Sequence, residues 1–139
     1  MDAIRIVSVL AITCLLAACT PATDAPVTLD GIPVDVIIAD DMQEWSRGLQ
    51  GYERLEAGRG MLFDFGSAAS RTFAMKDVTF PIDVVFIAED GTVSAIEPLD
   101  PGDTRFVTSP SASVYAIELP QGWAEENGIE VGDAFTYAE

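Results

Sequence analysis

Histidine is absent from this 139-residue chain, which has two cysteines and one lysine. Without histidine there can be no His-based zinc site, no Ser–His or Cys–His dyad, and no histidine general base. Cys14 and Cys19 both lie near the N-terminus, so neither is expected to be a free thiol or disulfide partner in the mature domain. The sequence also has no G-x-S-x-G motif and no glycine-rich phosphate loop. These absences exclude most common hydrolase and nucleotide-binding classes.

Positive charge is equally scarce. Seven Lys and Arg residues face 23 Asp and Glu residues, which gives a net charge of −16, and Lys76 is the only lysine. Such a surface repels nucleic-acid phosphates, which need clustered Lys and Arg. It also repels anionic lipid, so contact with a membrane requires an anchor. We therefore expect an acidic protein that does not bind nucleic acid.

An N-terminal leader is predicted before the domain. Residues 6–16 form an apolar run that is too short to span a bilayer but suits a signal-peptide core. Leu16-Ala17-Ala18-Cys19 then resembles the bacterial lipobox, in which the cysteine is acylated and becomes the new N-terminus. We predict a lipoprotein signal peptide at 1–18 and lipidation of Cys19. An ordinary secreted protein cut after Ala18 is the alternative.

Residues 19–26 predict a tether between the lipid and the domain. The segment from Thr20 onward holds two prolines and small residues, and such a chain extends by roughly 3 Å per residue. Threonine rather than aspartate after the cysteine favours the outer membrane over the inner one. We expect a cell-envelope protein on the periplasmic face, attached to the membrane through Cys19.

The remaining residues, 27–139, predict a single mostly β domain. Asp30-Gly31 and Glu89-Asp90-Gly91 are turn sequences flanked by β-branched runs and predict hairpins. Val84–Ile87 is continuously apolar, which is typical of a central strand covered on both faces. The turn spacing favours a compact β-barrel or sandwich of seven or eight short strands with two short helices, the second near 123–127.

The first helix is predicted to begin after Asp41. Asp41 can cap it, and Glu44 stands three residues on as the capping-box partner. Met42, Trp45 and Leu49 are spaced to share one apolar helical face. This spacing makes Trp45 a core residue rather than a ligand platform.

A series of ordered motifs runs through the domain: Arg47-Gly48-Leu49, Gly60-Met61-Leu62-Phe63, Phe73-Ala74-Met75-Lys76, Pro81-Ile82-Asp83, Ile117-Glu118-Leu119-Pro120, Gly122 and Gly128…Gly132-Asp133. Over about residues 27–137 this series resembles the family catalogued as domain of unknown function 192 (DUF192). The resemblance implies a compact all-β fold and no established activity. The chain has Ala74, Asp77 and Val78 where the family has Trp, Asn and Thr. If that Trp and Asn line a ligand surface, the surface is altered here.

The first candidate site is Lys76 with Asp77 and Asp83. Lys76 and Asp83 flank Pro81, so a turn would bring them together, and we expect one or both to open onto the largest pocket. A partly desolvated lysine beside carboxylates can serve as an acid, a base or an anion clamp. The alternatives are a structural ion pair, or an Asp83 that accepts hydrogen bonds from backbone amides at a strand start.

Four further residues are ligand-binding candidates. Arg47 with Glu118 is either a buried pair or a clamp for a ligand carboxylate. Met61 and Met75 offer thioethers that suit copper(I), but methionine in apolar strands ordinarily serves packing. No metal and no cofactor is therefore assigned.

Two functional hypotheses remain. The first is a non-enzymatic envelope module, an adaptor that binds a peptide, glycan or small molecule in a groove near Lys76 and Asp83. The second is a small envelope enzyme, a hydrolase or lyase, that uses Lys76 with Asp83. The absence of histidine and cysteine chemistry favours the binding module.

Overall fold

A computed structural model of the protein describes residues 27–138. The predicted leader at 1–18, Cys19 and the tether to residue 26 lie outside the described residues. Within the described part of the chain, no helix is long and apolar enough to cross a membrane.

Nine strands and two short helices form between residues 27 and 138. In chain order they are β1 Val27–Leu29, β2 Ile32–Ala39, α1 Met42–Arg47, β3 Arg59–Ala69, β4 Thr72–Phe73, β5 Ile82–Ala88, β6 Val93–Leu99, β7 Val107–Thr108, β8 Ser113–Pro120, α2 Trp123–Glu126 and β9 Phe135–Thr136. The mostly β prediction is confirmed, with the short strand β7 adding to the expected number. Both predicted hairpins are present, joining β1 to β2 and β5 to β6.

Seven strands form one sheet in the order β6-β5-β8-β3-β2-β1-β9, and β4 pairs with β7 separately. Neighbours in the large sheet are antiparallel except β2 and β3, which run parallel. A parallel pair cannot be joined by a hairpin, so the chain must cross over the sheet between β2 and β3. Helix α1 lies in that crossover.

The two edges of the large sheet meet at one end. Thr92, beside β6, bridges to Ala134, beside β9. Close by, the Val93 amide donates to the Asp133 carbonyl at 2.9 Å, and the Phe135 amide donates to the Gly91 carbonyl at 2.9 Å. These contacts satisfy edge groups that an open sheet would leave unpaired, and the sheet curls into a half-barrel.

Both faces of the central strands are buried. Val85 and Ile87 of β5 pack in a cluster with α2, on what we call the α2 face. Val84 and Phe86 alternate with them and pack in a second cluster with residues of α1 and the β4–β7 pair, on the α1 face. The predicted two-sided central strand is confirmed, because Ile82 to Ile87 are all buried.

The start of α1 follows the predicted capping chemistry. The Asp41 carboxylate accepts hydrogen bonds from the Gln43 and Glu44 amides, both at 2.8 Å. The Glu44 carboxylate accepts from the amide of Asp40, one residue before the expected partner. These bonds give the Asp41 and Glu44 carboxylates a capping role, although they lie close to the Asp40 carboxylate.

The predicted apolar face of the first helix is wrong at one end. Leu49 is buried, but Met42 is 76% exposed. Helix α1 ends at Arg47, and Gly48 adopts φ of 48°, so the chain leaves the helix before Leu49. The spacing of seven residues therefore does not place Met42 and Leu49 on one face.

Phe86→Ala should lower the free energy of unfolding by about 3–5 kcal/mol, because it empties a fully buried site in the central strand. Phe106→Ala makes the same chemical change at a side chain that is 72% exposed and should stay within about 0.5 kcal/mol. Urea unfolding of the two variants and the parent measures the difference. Equal effects at the two positions would contradict the two-sided burial of β5.

Candidate functional site

A cavity of about 430 Å³ lies on the α1 face, between the end of α1, the outer part of β3 and residues 70–78. Aromatic rings form much of its lining. The rings of Phe63 and Phe73 meet edge to face at 4.9 Å, and Trp45 lies 5.3 Å from Phe65. The Trp45 indole is fixed by donating to the Ala39 carbonyl at 3.0 Å. The cavity therefore has a preformed apolar wall that suits a small organic molecule.

Cationic side chains of the described domain fall into two sets. Three of them pair with nearby carboxylates on the surface: Arg54 with Glu56, Arg59 with Asp35, and Arg105 with Asp103. The other three form no such ion pair within residues 27–138, and all three line this cavity: Arg47, Arg71 and Lys76. In a chain with a net charge of −16, this leaves one cavity with positive charge and no protein counter-ion.

Different elements supply these three cations. Arg47 is the last residue of α1, and Lys76 lies in the turn after β4; both side chains are exposed, which places them at the cavity mouth. Arg71 is held more firmly, since it donates to the carbonyls of Ser67 at 2.5 Å and Ser113 at 3.3 Å. Its guanidinium also lies 4.0 Å over the Phe65 ring. Arg71 is therefore partly a structural residue, and Arg47 and Lys76 are the freer pair.

Glu118 of β8 lines the same cavity and is only 4% exposed. Its neighbours across the sheet, Met61 and Val84, are apolar. Within the described residues its Oε2 has no hydrogen-bond partner. Burial raises the pKa of Glu118 to about 8, so the carboxyl is mostly protonated at pH 7. An unpartnered polar atom of this kind is uncommon in a folded core and points to a missing partner.

Gly48 shapes the approach to this carboxyl. A Cβ built at Gly48 would lie 3.7 Å from Glu118 Oε2 and 3.6 Å from Phe63. The backbone there adopts φ of 48° and ψ of −134°, which L side chains rarely adopt. A side chain at Gly48 would therefore be in van der Waals contact with both Glu118 and Phe63, in a strained backbone conformation.

The predicted partners Arg47 and Glu118 share this cavity but are not a buried ion pair, since Glu118 Oε2 is unpartnered. The predicted buried pair is therefore not observed. The other interpretation, a clamp for a ligand carboxylate, stays a prediction.

Lys76 and Asp83 are not brought together. Asp83 lines another cavity with Gly122 and Ile129, on the α2 face. The Gly122 amide donates to the Asp83 carboxylate at 2.9 Å, so Asp83 is a backbone acceptor at the start of β5. Burial raises the pKa of Asp83, and this hydrogen bond opposes the rise. The expectation was that Lys76 or Asp83 would open onto the largest pocket. Of the two cavities described here, Asp83 lines the larger one, of about 570 Å³, and Lys76 lines the smaller one, of about 430 Å³.

The remaining candidates have structural explanations. Met61 and Met75 are buried in the apolar α1-face cluster, where they fill space. Asp77 adopts φ of 57°, a left-handed conformation that Asn and Asp tolerate better than most residues. Ala74 and Val78, two of the positions that depart from the family pattern, do line the cavity.

Sequence reasoning did not single out Arg71, Phe65 or Phe73 as site residues, although they stand beside Lys76 here. One signal was available. In so acidic a chain, each cation without a carboxylate two residues away in the sequence is a candidate site residue. Arg54 and Arg105 have such a carboxylate neighbour, whereas Arg47, Arg71 and Lys76 do not. Arg59 also lacks one but pairs with Asp35 on the neighbouring strand, so this signal is incomplete.

A family model matches residues 25–137, over most of the chain: DUF192, described as uncharacterized ACR. The chain belongs to the DUF192 family. No curated protein matches it.

Two solved structures are similar to this chain. A Sinorhizobium meliloti 1021 protein, provisionally described as a transcription regulator, is 28% identical, with a TM-score of 0.73 over 81% of this chain and 92% of that one. A Novosphingobium aromaticivorans DSM 12444 protein of unknown function is 26% identical, with a TM-score of 0.76 over 80% and 83%.

The stability of this DUF192 domain should fall as pH rises from about 5 to 8. Because the folded pKa of Glu118 is about 8 and its ordinary value is 4.5, the folded state holds a proton that the unfolded state has lost. The Glu118 contribution is thus complete below pH 4.5 and declines by roughly 1 kcal/mol per pH unit up to about pH 8. Glu118→Gln should remove this slope in urea unfolding, with Glu126→Gln on the exposed side of α2 as the control. Parallel pH profiles for the parent and Glu118→Gln would contradict the assignment.

Proposed function

We propose that this DUF192 protein is a lipid-anchored envelope module that binds a small organic anion in the α1-face cavity without transforming it. One observation carries the proposal. Within residues 27–138, each cation that lacks a carboxylate partner lines this cavity. The positive charge is therefore available to a ligand.

The chemistry of the cavity supports an anion with an apolar body. Arg47 and Lys76 at the mouth can bind a carboxylate or phosphate by charge-assisted hydrogen bonds. Phe65 and Phe73 offer ring faces and edges for an apolar or aromatic group. A volume of about 430 Å³ lies in the usual range of small-molecule sites.

The envelope location rests on the sequence. The apolar leader and the Leu16–Cys19 motif favour secretion and acylation, and the tether at 20–26 would hold the domain away from the lipid headgroups. An acidic domain is repelled by anionic lipid, so acyl chains would supply the attachment to the membrane. Thr20 favours the outer membrane, with the domain on the periplasmic face.

Binding is favoured over catalysis because the enzyme hypothesis needs Lys76 and Asp83 at one site. They line different cavities, on opposite faces of the sheet. A role in direct nucleic-acid binding, of the kind suggested by the description of the S. meliloti protein, is disfavoured by the net charge of −16.

Arg47→Gln and Lys76→Met should each weaken binding of 3-phenylpropionate, an aromatic carboxylate, by about tenfold, because each removes a charged hydrogen-bond donor at the mouth. Isothermal titration calorimetry on the purified protein measures the effect. Arg54→Gln, which removes a cation already paired with Glu56, is the matched control and should bind normally. An enzyme would instead keep binding and lose turnover in Lys76→Met. Binding equal in all three variants would contradict the cationic mouth.

Cys19→Ser should release the protein from the membrane fraction into the soluble fraction, because it removes the acylation site. Metabolic labelling with palmitate followed by fractionation measures both the lipid and the location. An ordinary secreted protein cut after Ala18 would be soluble and unlabelled with Cys19 intact, and that result would refute the anchor.

A further inference from the structure

Glu118 gives the cavity a property that a simple anion site does not need. Its carboxyl is 4% exposed, and its Oε2 has no hydrogen-bond partner among the described residues. An anion bound by Arg47 and Lys76 alone would leave that oxygen unsatisfied, and a buried unsatisfied polar atom is costly. The ligand is the natural source of the missing partner, which is a donor when Glu118 is ionised and an acceptor when it is protonated.

The groups that face Glu118 do not supply that donor. Across the sheet, Met61 on β3 and Val84 on β5 are apolar. Gly48, after α1, contributes no side chain. The ionisable groups that share the cavity are Arg47, Arg71 and Lys76, and none of them forms an ion pair with Glu118 within the described chain. The site thus keeps Glu118 apart from these cations, so its ionised form lacks the stabilisation that an ion pair would give.

We propose that the ligand is a zwitterion, an α-amino acid or a close analogue with an apolar side chain. Its ammonium group binds Glu118, its carboxylate binds Arg47 and Lys76, and its side chain packs on Phe65 and Phe73. This inference rests on the proposed function and adds the chemical class of the ligand.

A zwitterion satisfies both halves of the site at once. An amine without a carboxylate would leave Arg47 and Lys76 without a counter-ion, and a carboxylate without an amine could satisfy Glu118 only by accepting the O–H of its protonated form. An ammonium group beside Glu118 also favours its ionised form. Since the carboxyl is mostly protonated at pH 7 in the free protein, binding of a zwitterion releases a proton.

Three matched probes test the proposal: L-phenylalanine, 3-phenylpropionate, which lacks the ammonium, and phenethylamine, which lacks the carboxylate. L-phenylalanine should bind at least about tenfold more tightly than either analogue, because each analogue loses one charged hydrogen-bonding group. Calorimetry at pH 7 in buffers of different ionisation enthalpy should detect release of about one proton with L-phenylalanine and none with 3-phenylpropionate.

Glu118→Gln should abolish both the preference for L-phenylalanine over 3-phenylpropionate and the proton release, while binding of 3-phenylpropionate persists. A merely structural role for Glu118 would weaken both probes alike. Asp83→Asn is the matched control, because it neutralises another buried carboxyl that lines a different cavity, and it should leave the preference intact.

The outcomes separate this inference from the proposed function. Equal binding of L-phenylalanine and 3-phenylpropionate, with Arg47→Gln weakening both, overturns the zwitterion and leaves the anion site standing. Binding of L-phenylalanine without proton release, or a preference that survives in Glu118→Gln, also overturns the zwitterion. Failure of all three probes to bind at millimolar concentration overturns both proposals.

Discussion

Burial of the central strands on both faces is the constraint from which the rest of this structure follows. β5 and β8 carry apolar side chains on each side, so two separate layers must cover the sheet. The parallel β2–β3 pair forces a crossover, and that crossover places α1 on one of these layers. The residues around β4 cover only part of the rest of the α1 face. The part of this face that stays uncovered is the cavity. The site is therefore a consequence of how the α1 face is closed.

Positive charge is scarce in this domain, and the cations that lack a carboxylate partner line this cavity. On an acidic domain most cations find a carboxylate close by, and exposed pairs of this kind contribute little to stability. Arg71 stands apart because the Phe65 ring and two backbone carbonyls contact it instead of a carboxylate. Arg47 and Lys76 are exposed at the cavity mouth and form no ion pair within residues 27–138. The one carboxyl in the lining, Glu118, lies deep on β8 and does not pair with them. In the empty protein Glu118 is buried without a partner for Oε2 and the cations have no carboxylate partner, which is a reason to expect a ligand that contacts both.

Local signals in the sequence predicted much of the fold. Asp30-Gly31 specifies its hairpin through turn chemistry, and the run from Val84 to Ile87 specifies a covered strand. The site was harder to predict, because it depends on which face each strand residue occupies. Asp83 points to the opposite face from Val84, and in a strand that is apolar on both sides no polar alternation marks the faces. Nearness in sequence to Lys76 therefore suggested a pairing that the sheet forbids. Glu118 meets the cavity only through the β8 register, which no local pattern encodes.

The ionisation of Glu118 tests this account most directly. The carboxyl carbon of Glu118, assigned through the loss of its signal in Glu118→Gln, can be followed by ¹³C NMR as the pH is raised. Glu118 should titrate with a pKa of about 8 in the free protein, because the carboxyl is buried without a hydrogen-bond partner for Oε2. A titration near the ordinary value of 4.5 would show a solvated or paired carboxylate and would contradict the account.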